Sequence, residues 1–279
     1  MTTPGANEAA QTALSRLLSI MDKLRDPGGC PWDREQTMRT LTPYLLEEAH
    51  EVIEAIESGD AAHHREELGD LLFQIVFQAR IAREQGQFDF AQVCDAIAGK
   101  LTRRHPHVFG EVSVSGSGEV VKNWERIKAE ERREKGEKPR SAIGGVPAGL
   151  PALVRAERIA EKAAAVGFDW PDVRGVVAKV REELDELLHE VERKDSAADP
   201  AHAQARVEAE LGDLLFALSN LGRFLKVHPE EALRGCIRRF EARFHHIEER
   251  LRESGRSPSE SNLAEMDGLW DEAKARFEP

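Results

Sequence analysis

The heptapeptide Glu67-Leu68-Gly69-Asp70-Leu71-Leu72-Phe73 returns letter for letter at Glu210-Leu211-Gly212-Asp213-Leu214-Leu215-Phe216. A second acidic cluster precedes each copy in the same order, Glu47-Glu48-x-x-Glu51 in the first half and Glu182-Glu183-x-x-Glu186 in the second. The chain therefore reads as two copies of one device. With 279 residues, either half has room for a core of its own.

Hydrophobic periodicity sets the type of each unit. Apolar residues recur at helical spacing at Leu14, Leu17, Leu18, Met21 and Leu24, and Asp26-Pro27-Gly28-Gly29 breaks the pattern. Helical faces follow over Leu41 to Ile56 and Glu66 to Arg83, separated by Ser58-Gly59-Asp60, which predicts an αα-hairpin. Two more helices are predicted from Phe90 to Arg104 and from about Val120 to Lys135. The Gly- and Pro-rich run from Gly136 to Pro151 lacks periodicity and reads as a linker. The second half replays the order, with helices over Ala152 to Ala165, Val173 to Arg193, Ala203 to Leu225, Glu230 to Ser254 and Asn262 to Phe277. Apart from a few residues near Val112 to Val114, no segment alternates as a strand would. The expected fold is all-α, two tandem helical-bundle repeats built from αα-hairpins, with a first repeat at 1–135, a linker at 136–151 and a second repeat at 152–279.

Composition removes several function classes. A formal charge of −12, from 51 acidic and 39 basic side chains, argues against a protein that binds duplex nucleic acid. No run of 18 apolar residues exists and the N-terminal stretch has no secretory pattern, so no membrane association is expected. Cys30, Cys94 and Cys236 are odd in number and form no CxxC pair, which fits a reducing cytoplasm.

On a helix, residues three or four apart share a face, so Glu183 and Glu186 project together, as do Glu210 and Asp213 on the following helix. Pairing the two helices converges four carboxylates; Glu48, Glu51, Glu67 and Asp70 offer the same set in the first repeat. Acidic residues on helices are usually solvated faces. Here they sit within the apolar stripes Leu184, Leu187, Leu188 and Leu211, Leu214, Leu215, which are expected to pack and hold them in register. Gathered like charges must protonate, pair with bases or bind a cation. An oxygen-only donor set selects Mg²⁺, Mn²⁺ or Ca²⁺ over zinc. A carboxylate-bridged di-iron bundle would call for Glu-x-x-His motifs; Glu47-x-x-His50 fits once, but Asp185 stands at the matching position in the second repeat.

Bases and aromatics repeat as well. Lys100 and Arg104 in the first half and Arg239 and Arg243 in the second are i,i+4 pairs, and the next helices carry Trp124/Lys128 and Trp270/Lys274. Each alone reads as a surface ion pair or a packed tryptophan. Their repetition beside acidic clusters points to an anionic, aromatic ligand, a nucleotide. His105, His107, His245 and His246 have no partners at zinc spacing and are expected as surface or capping residues.

The segments GGCPWDREQT, LLEEAHEVIEAI, EELGDLLFQIVFQA, KLTRRHPHVFGE and NWERIKAEE, with KVREELDEL, ELGDLLFALSNL, RRFEARF and LWDEAK in the second half, resemble the MazG family of nucleoside triphosphate pyrophosphohydrolases within the all-α NTP pyrophosphatase superfamily. The resemblance covers nearly the whole chain. It implies a dimeric enzyme that uses Mg²⁺, or Mn²⁺ in its place, to cleave an NTP or dNTP between the α and β phosphates, releasing NMP and pyrophosphate in nucleotide-pool housecleaning. Carried over by motif, the metal ligands are Glu183, Glu186, Glu210 and Asp213, and the substrate contacts are Lys179, Arg206, Arg239, Arg243, Trp270 and Lys274. Arg206 and Arg239 stand where the family can show lysine, which keeps the charge and changes the hydrogen-bonding geometry. Metal held by the carboxylates would bridge triphosphate oxygens and activate the attacking water, and Glu182 is free to orient that water.

The bases separate the two repeats. Three residues before the first glutamate of the EExxE cluster, the second repeat has Lys179 and the first Tyr44; four before the ExxD glutamate, the second has Arg206 and the first His63. The second repeat is thus expected to carry most of the activity, with the first a weaker site or a dimerisation and structural module. The competing class is a non-enzymatic helical scaffold or regulator whose acidic clusters hold a divalent ion for stability.

Overall fold

The computed structural model describes residues 4–134, 136, 141–194, 196 and 198–276. Lys135 and Phe277, at the ends of two expected helices, and residues 137–140 of the expected linker lie outside them. The chain divides into two compact units, Met1–Glu137 and Lys138–Pro279. All regular structure among the described residues is helical, and the segment near Val112 forms no strand. No helix among them is long and apolar enough to cross a membrane.

The first unit holds α1 (Pro4–Arg25), α2 (Pro31–Glu35), α3 (Thr42–Ser58), α4 (Ala61–Glu84), α5 (Phe90–Arg104), α6 (Pro106–Phe109) and α7 (Ser117–Glu134). Helices α3 and α4 form the expected hairpin. Gly59 ends α3 at φ 73°, a left-handed conformation that suits a residue without Cβ. Asp60 then caps α4 by accepting hydrogen bonds from the backbone N–H groups of Ala62 and His63. Asp89 and Gln92 form a capping box at the start of α5. The core of this unit is Met21, Leu41, Val76, Phe77 and Ile81, with Leu17, Leu18, Met38, Phe73 and Phe90 packed around it. Periodicity missed α2 and α6, which are too short to show a repeat; a proline at the first helical position marks each.

Arg80 ties α4 to α1. Its side chain, only 11% exposed, meets Asp22 at 2.5 Å, Asp26 at 2.8 Å and Glu84 at 2.8 Å. Arg25 adds a bidentate pair to Glu84. The ion pairs have a measurable electrostatic signature. Against the cost of partial burial, hydrogen bonds from Arg80 and Arg83 hold the Asp22 carboxyl below its ordinary range, and Arg25 and Arg80 do the same for Glu84.

The second unit holds α8 (Ala152–Ala165), α9 (Val173–Lys194), α10 (Pro200–Leu225), α11 (Pro229–Glu253), a single 3₁₀ turn (Pro258–Glu260) and α12 (Leu263–Arg276). Helices α9 and α10 make the hairpin; α8 packs on α10 and α11, and α12 on α11. Asp199 caps α10 through Ala201 and His202 as Asp60 caps α4. Arg223 occupies the place of Arg80 in the repeat and likewise grips an aspartate of the preceding loop, here Asp169, in a bidentate pair. Next to it, Trp170 lies against Gly175, where any Cβ would overlap the indole. Small and polar side chains, Ala160, Ala217, Ser219, Asn220 and Ala273, fill much of the buried volume between these helices, together with Val176, Ile247 and Leu251.

Two expectations need correction. Leu184, Leu188, Leu211 and Leu215 do not pack around the carboxylates within the unit: each is between 42% and 50% exposed. A two-helix hairpin has two broad faces, and within the unit these leucines stand on the uncovered one. His246 is not a surface residue; it is buried, with Glu272 3.3 Å from its Nε2.

The Arg80 hub generates a prediction. Replacing Arg80 by alanine should lower stability at neutral pH by roughly 2 kcal/mol, less than for a fully buried pair because water reaches the three acids. Asp22 and Glu84 titrate below their ordinary values of 3.8 and 4.5, so the stability they supply is present above those values and is lost as the pH falls through the lowered ones. Denaturant titrations at pH 7 and pH 3 should therefore show the gap between wild type and Arg80→Ala narrowing in acid. An equal gap at both pH values would contradict the electrostatic account.

Candidate active site

The α9–α10 hairpin places the acidic motifs face to face. Oxygen atoms of Glu183, Glu186 and Glu210 lie within 4.8 Å of one another. Glu183 is buried, Glu210 partly so, and Glu186 exposed, which gives the cluster a floor and an open side. Partial burial and the charges of Glu186, Asp213, Glu183 and Glu190 push the Glu210 carboxyl above its ordinary range. Asp213 is exposed and lies outside the three-residue group, though close enough to act on Glu210.

Lys179 sits one turn before this cluster on α9. Its Nζ donates to Glu182 at 2.8 Å and contacts Glu183 at 2.6 Å, and these two carboxylates raise its pKa, so the amine is charged across the physiological range. Glu182 itself points outward, its side chain 56% exposed. Arg206 reaches across the hairpin from α10 to Glu190, 2.5 Å away. Glu190 belongs to neither recognised motif, yet it is buried and stands in the field of Glu210. The signal for it was present in the sequence: it follows Glu183 and Glu186 by seven and four residues, which puts it on the same helical face.

The remaining expected substrate contacts form a second group on α11 and α12. The Arg243 guanidinium lies 5.6 Å from the centroid of Trp270, whose ring packs on Phe240 at 5.0 Å. The Arg243 Nε is buried with no hydrogen-bond partner. Lys274 pairs with Asp271 at 2.8 Å, and Arg239 is exposed one turn before Arg243. The contacts of this group run among themselves and to Asp271 and Phe240, not to the α9–α10 carboxylates.

The first unit gathers Glu48, Glu67 and Asp70 in the same manner. Partial burial and the charges of Asp70 and Glu51 push Glu48 above its ordinary range, while a hydrogen bond from Gln74 pulls the other way. Its surroundings differ from those of the second. Tyr44, in the place of Lys179, stacks edge-on against Trp32, and His63, in the place of Arg206, contacts Glu67 at 3.0 Å. Downstream, Arg104 pairs with Glu131, Lys128 with Glu125, and Trp124 with His105. His105 accordingly serves as the cap between α5 and α6.

Both clusters can hold a hard cation. Each offers oxygen donors only, from different helices, and carries more negative charge than its own bases neutralise. The second cluster also has fixed positive charge at its rim, a combination suited to a polyanion bound through a metal.

A family model described as the MazG nucleotide pyrophosphohydrolase domain matches the chain twice, over residues 36–109 and 173–247. Each match spans both acidic motifs of one repeat. The nucleoside triphosphate pyrophosphohydrolase of Escherichia coli (strain K12) is 47% identical over 262 residues, which are 94% of this chain and 97% of that protein. The nucleoside triphosphate pyrophosphohydrolase/pyrophosphatase MazG of Thermotoga maritima is also 47% identical, over 258 residues that cover 92% of this chain and 94% of that protein. With two domain matches and near-complete coverage of both proteins, the chain belongs to the MazG nucleotide pyrophosphohydrolase family.

Proposed function

We propose that the second repeat hydrolyses nucleoside triphosphates, ribo- or deoxyribo-, between the α and β phosphates to give NMP and pyrophosphate, with Mg²⁺ held by Glu183, Glu186, Glu210 and Asp213. The observation that carries this reading is the convergence of Glu183, Glu186 and Glu210 within 4.8 Å, flanked by Lys179 and Arg206. A divalent cation bound there supplies Lewis-acid polarisation of the phosphoryl oxygens and offsets the charge of the triphosphate.

The chain's own groups do the rest. Lys179, held between Glu182 and Glu183, exchanges carboxylate for phosphate as substrate arrives and carries charge to the triphosphate. That exchange frees Glu182 to accept a hydrogen bond from the attacking water and orient it toward phosphorus. Arg206 and Arg239 neutralise charge that develops on pyrophosphate as it leaves. Trp270, braced by Phe240 and Arg243, offers a flat apolar wall to the base. Little covalent participation by the protein is needed, since positioning and charge account for phosphoryl transfer chemistry of this kind.

The exposed leucines of the hairpin support a homodimer. Leu184, Leu188, Val191, Leu211, Leu215 and Leu218 each stand more than 40% exposed on α9 and α10, a larger apolar surface than isolated side chains would leave. A second copy of the chain that covers them would bring the carboxylate face of the hairpin into a drier environment. The three cysteines are free, in keeping with a reducing cytoplasm as the working compartment.

Two experiments decide the reading. With Mg²⁺ and a mixture of NTPs and dNTPs, wild type should release NMP and pyrophosphate; Glu183→Ala should lower kcat by at least about 10²-fold, and Glu48→Ala should leave most of the rate. Release of NDP and phosphate, loss of activity in Glu48→Ala alone, or a metal-dependent rise in melting temperature with no nucleotide consumed would each contradict it. Light scattering should give a dimeric mass for wild type and a monomeric one for the double variant Leu188→Glu/Leu215→Glu. A wild-type monomer would remove the dimer from the account.

A further inference from the structure

Glu190 has no role in the reaction as described above, yet its surroundings are unusual. It is 7% exposed, and a carboxylate so buried is costly unless it is paired. Its partner is Arg206, one turn before Glu210 on the opposite helix, at 2.5 Å. The Arg206 side chain remains 48% exposed. A guanidinium carries five N–H donors in a rigid fork. One of them is engaged by Glu190. A cleft of about 340 Å³, bounded also by Arg193, Lys194 and His202, opens beside the pair, so the outer donors are reachable.

The first repeat supplies an internal comparison. The position of Glu190 is taken there by Ala55, which is fully buried, and the position of Arg206 by His63. With no carboxylate behind it, His63 turns instead onto Glu67, a member of the acidic cluster. Glutamate and arginine are present together in one repeat and absent together from the other. A base at this position without a rear anchor folds onto the cluster.

We propose that Glu190 is a positioning residue for triphosphate binding in the second repeat. It anchors Arg206 from behind, keeps it off Glu210, and aims its outer donors at phosphates bound over Glu183, Glu186 and Glu210. This inference rests on the reading of the second repeat as the triphosphate site. An ion pair that only staples α9 to α10 would serve the hairpin and leave substrate affinity alone.

The test is a double-mutant cycle on the full-length protein with Mg²⁺ and one NTP, in which kcat, KM and thermal unfolding are measured for wild type, Glu190→Gln, Arg206→Ala and the double variant. Glu190→Gln keeps the shape and removes the charge. It should raise KM by about tenfold with kcat within about twofold of wild type, and the double variant should be no worse than Arg206→Ala alone. An unchanged KM in Glu190→Gln overturns the proposal, as do KM effects that multiply in the double variant. So does a Glu190→Gln protein that fails to fold while Arg206→Ala folds, because the carboxylate would then serve the hairpin itself. Failure of the underlying reading is separable: a wild-type protein that releases no NMP and pyrophosphate refutes that reading first. Turnover abolished by Glu183→Ala but with KM indifferent to Glu190 refutes only the positioning role.

Discussion

Repulsion between like charges is the constraint on which the second unit is built. Glu183, Glu186 and Glu210 lie with oxygens inside 4.8 Å, and Glu190 and Asp213 add to the field at Glu210. Such a group persists only where something neutralises it. Lys179 and Arg206 are too few for that task, and each engages the edge of the group, at Glu182 and Glu183 or at Glu190. A hard cation satisfies the remaining charge and in turn creates a place where a polyphosphate can bind. The hairpin caps at Asp60 and Asp199, the Arg80 and Arg223 ties to preceding loops, and the small residues between helices can all be understood as holding two acidic helices at the spacing this demands.

The two repeats show how little change separates two versions of one scaffold. Lys179, Glu190, Arg206 and Ala217 in the second correspond to Tyr44, Ala55, His63 and Gln74 in the first. These positions line the same faces of their hairpins. In the first repeat the cluster is met by an amide from Gln74, an imidazole and an aromatic pair, so its own protein supplies mostly neutral neighbours. In the second it is met by full positive charges, one anchored by a buried carboxylate. A triphosphate is matched by the second set.

Much of this was legible in the sequence, for identifiable reasons. Long amphipathic helices announce themselves by period, and α5 and α8 run over the residues that periodicity assigned, Phe90–Arg104 and Ala152–Ala165. The acidic cluster could be assembled from i,i+3 spacing and the duplication alone. Short helices such as α2 have no period to detect, and their proline starts read first as breakers. The outward direction of Leu184 and Leu215 was not legible, because an apolar stripe has the same pattern whether it meets its own unit or stands open. Nor was the buried state of His246, which depends on what packs over α11. Glu190 was visible as a spacing but had no partner in one dimension; the cross-hairpin contact to Arg206 gives it meaning.

The most direct measurement of the central claim is ³¹P NMR of a non-hydrolysable α,β-methylene nucleoside triphosphate titrated with the protein and Mn²⁺. If the second-repeat carboxylates hold the cation over which the triphosphate binds, the bound phosphorus signals broaden strongly with wild type and with Glu48→Gln, and the broadening is lost with Glu183→Gln. Broadening that survives Glu183→Gln and disappears with Glu48→Gln would place the metal and the triphosphate in the first repeat and contradict the account.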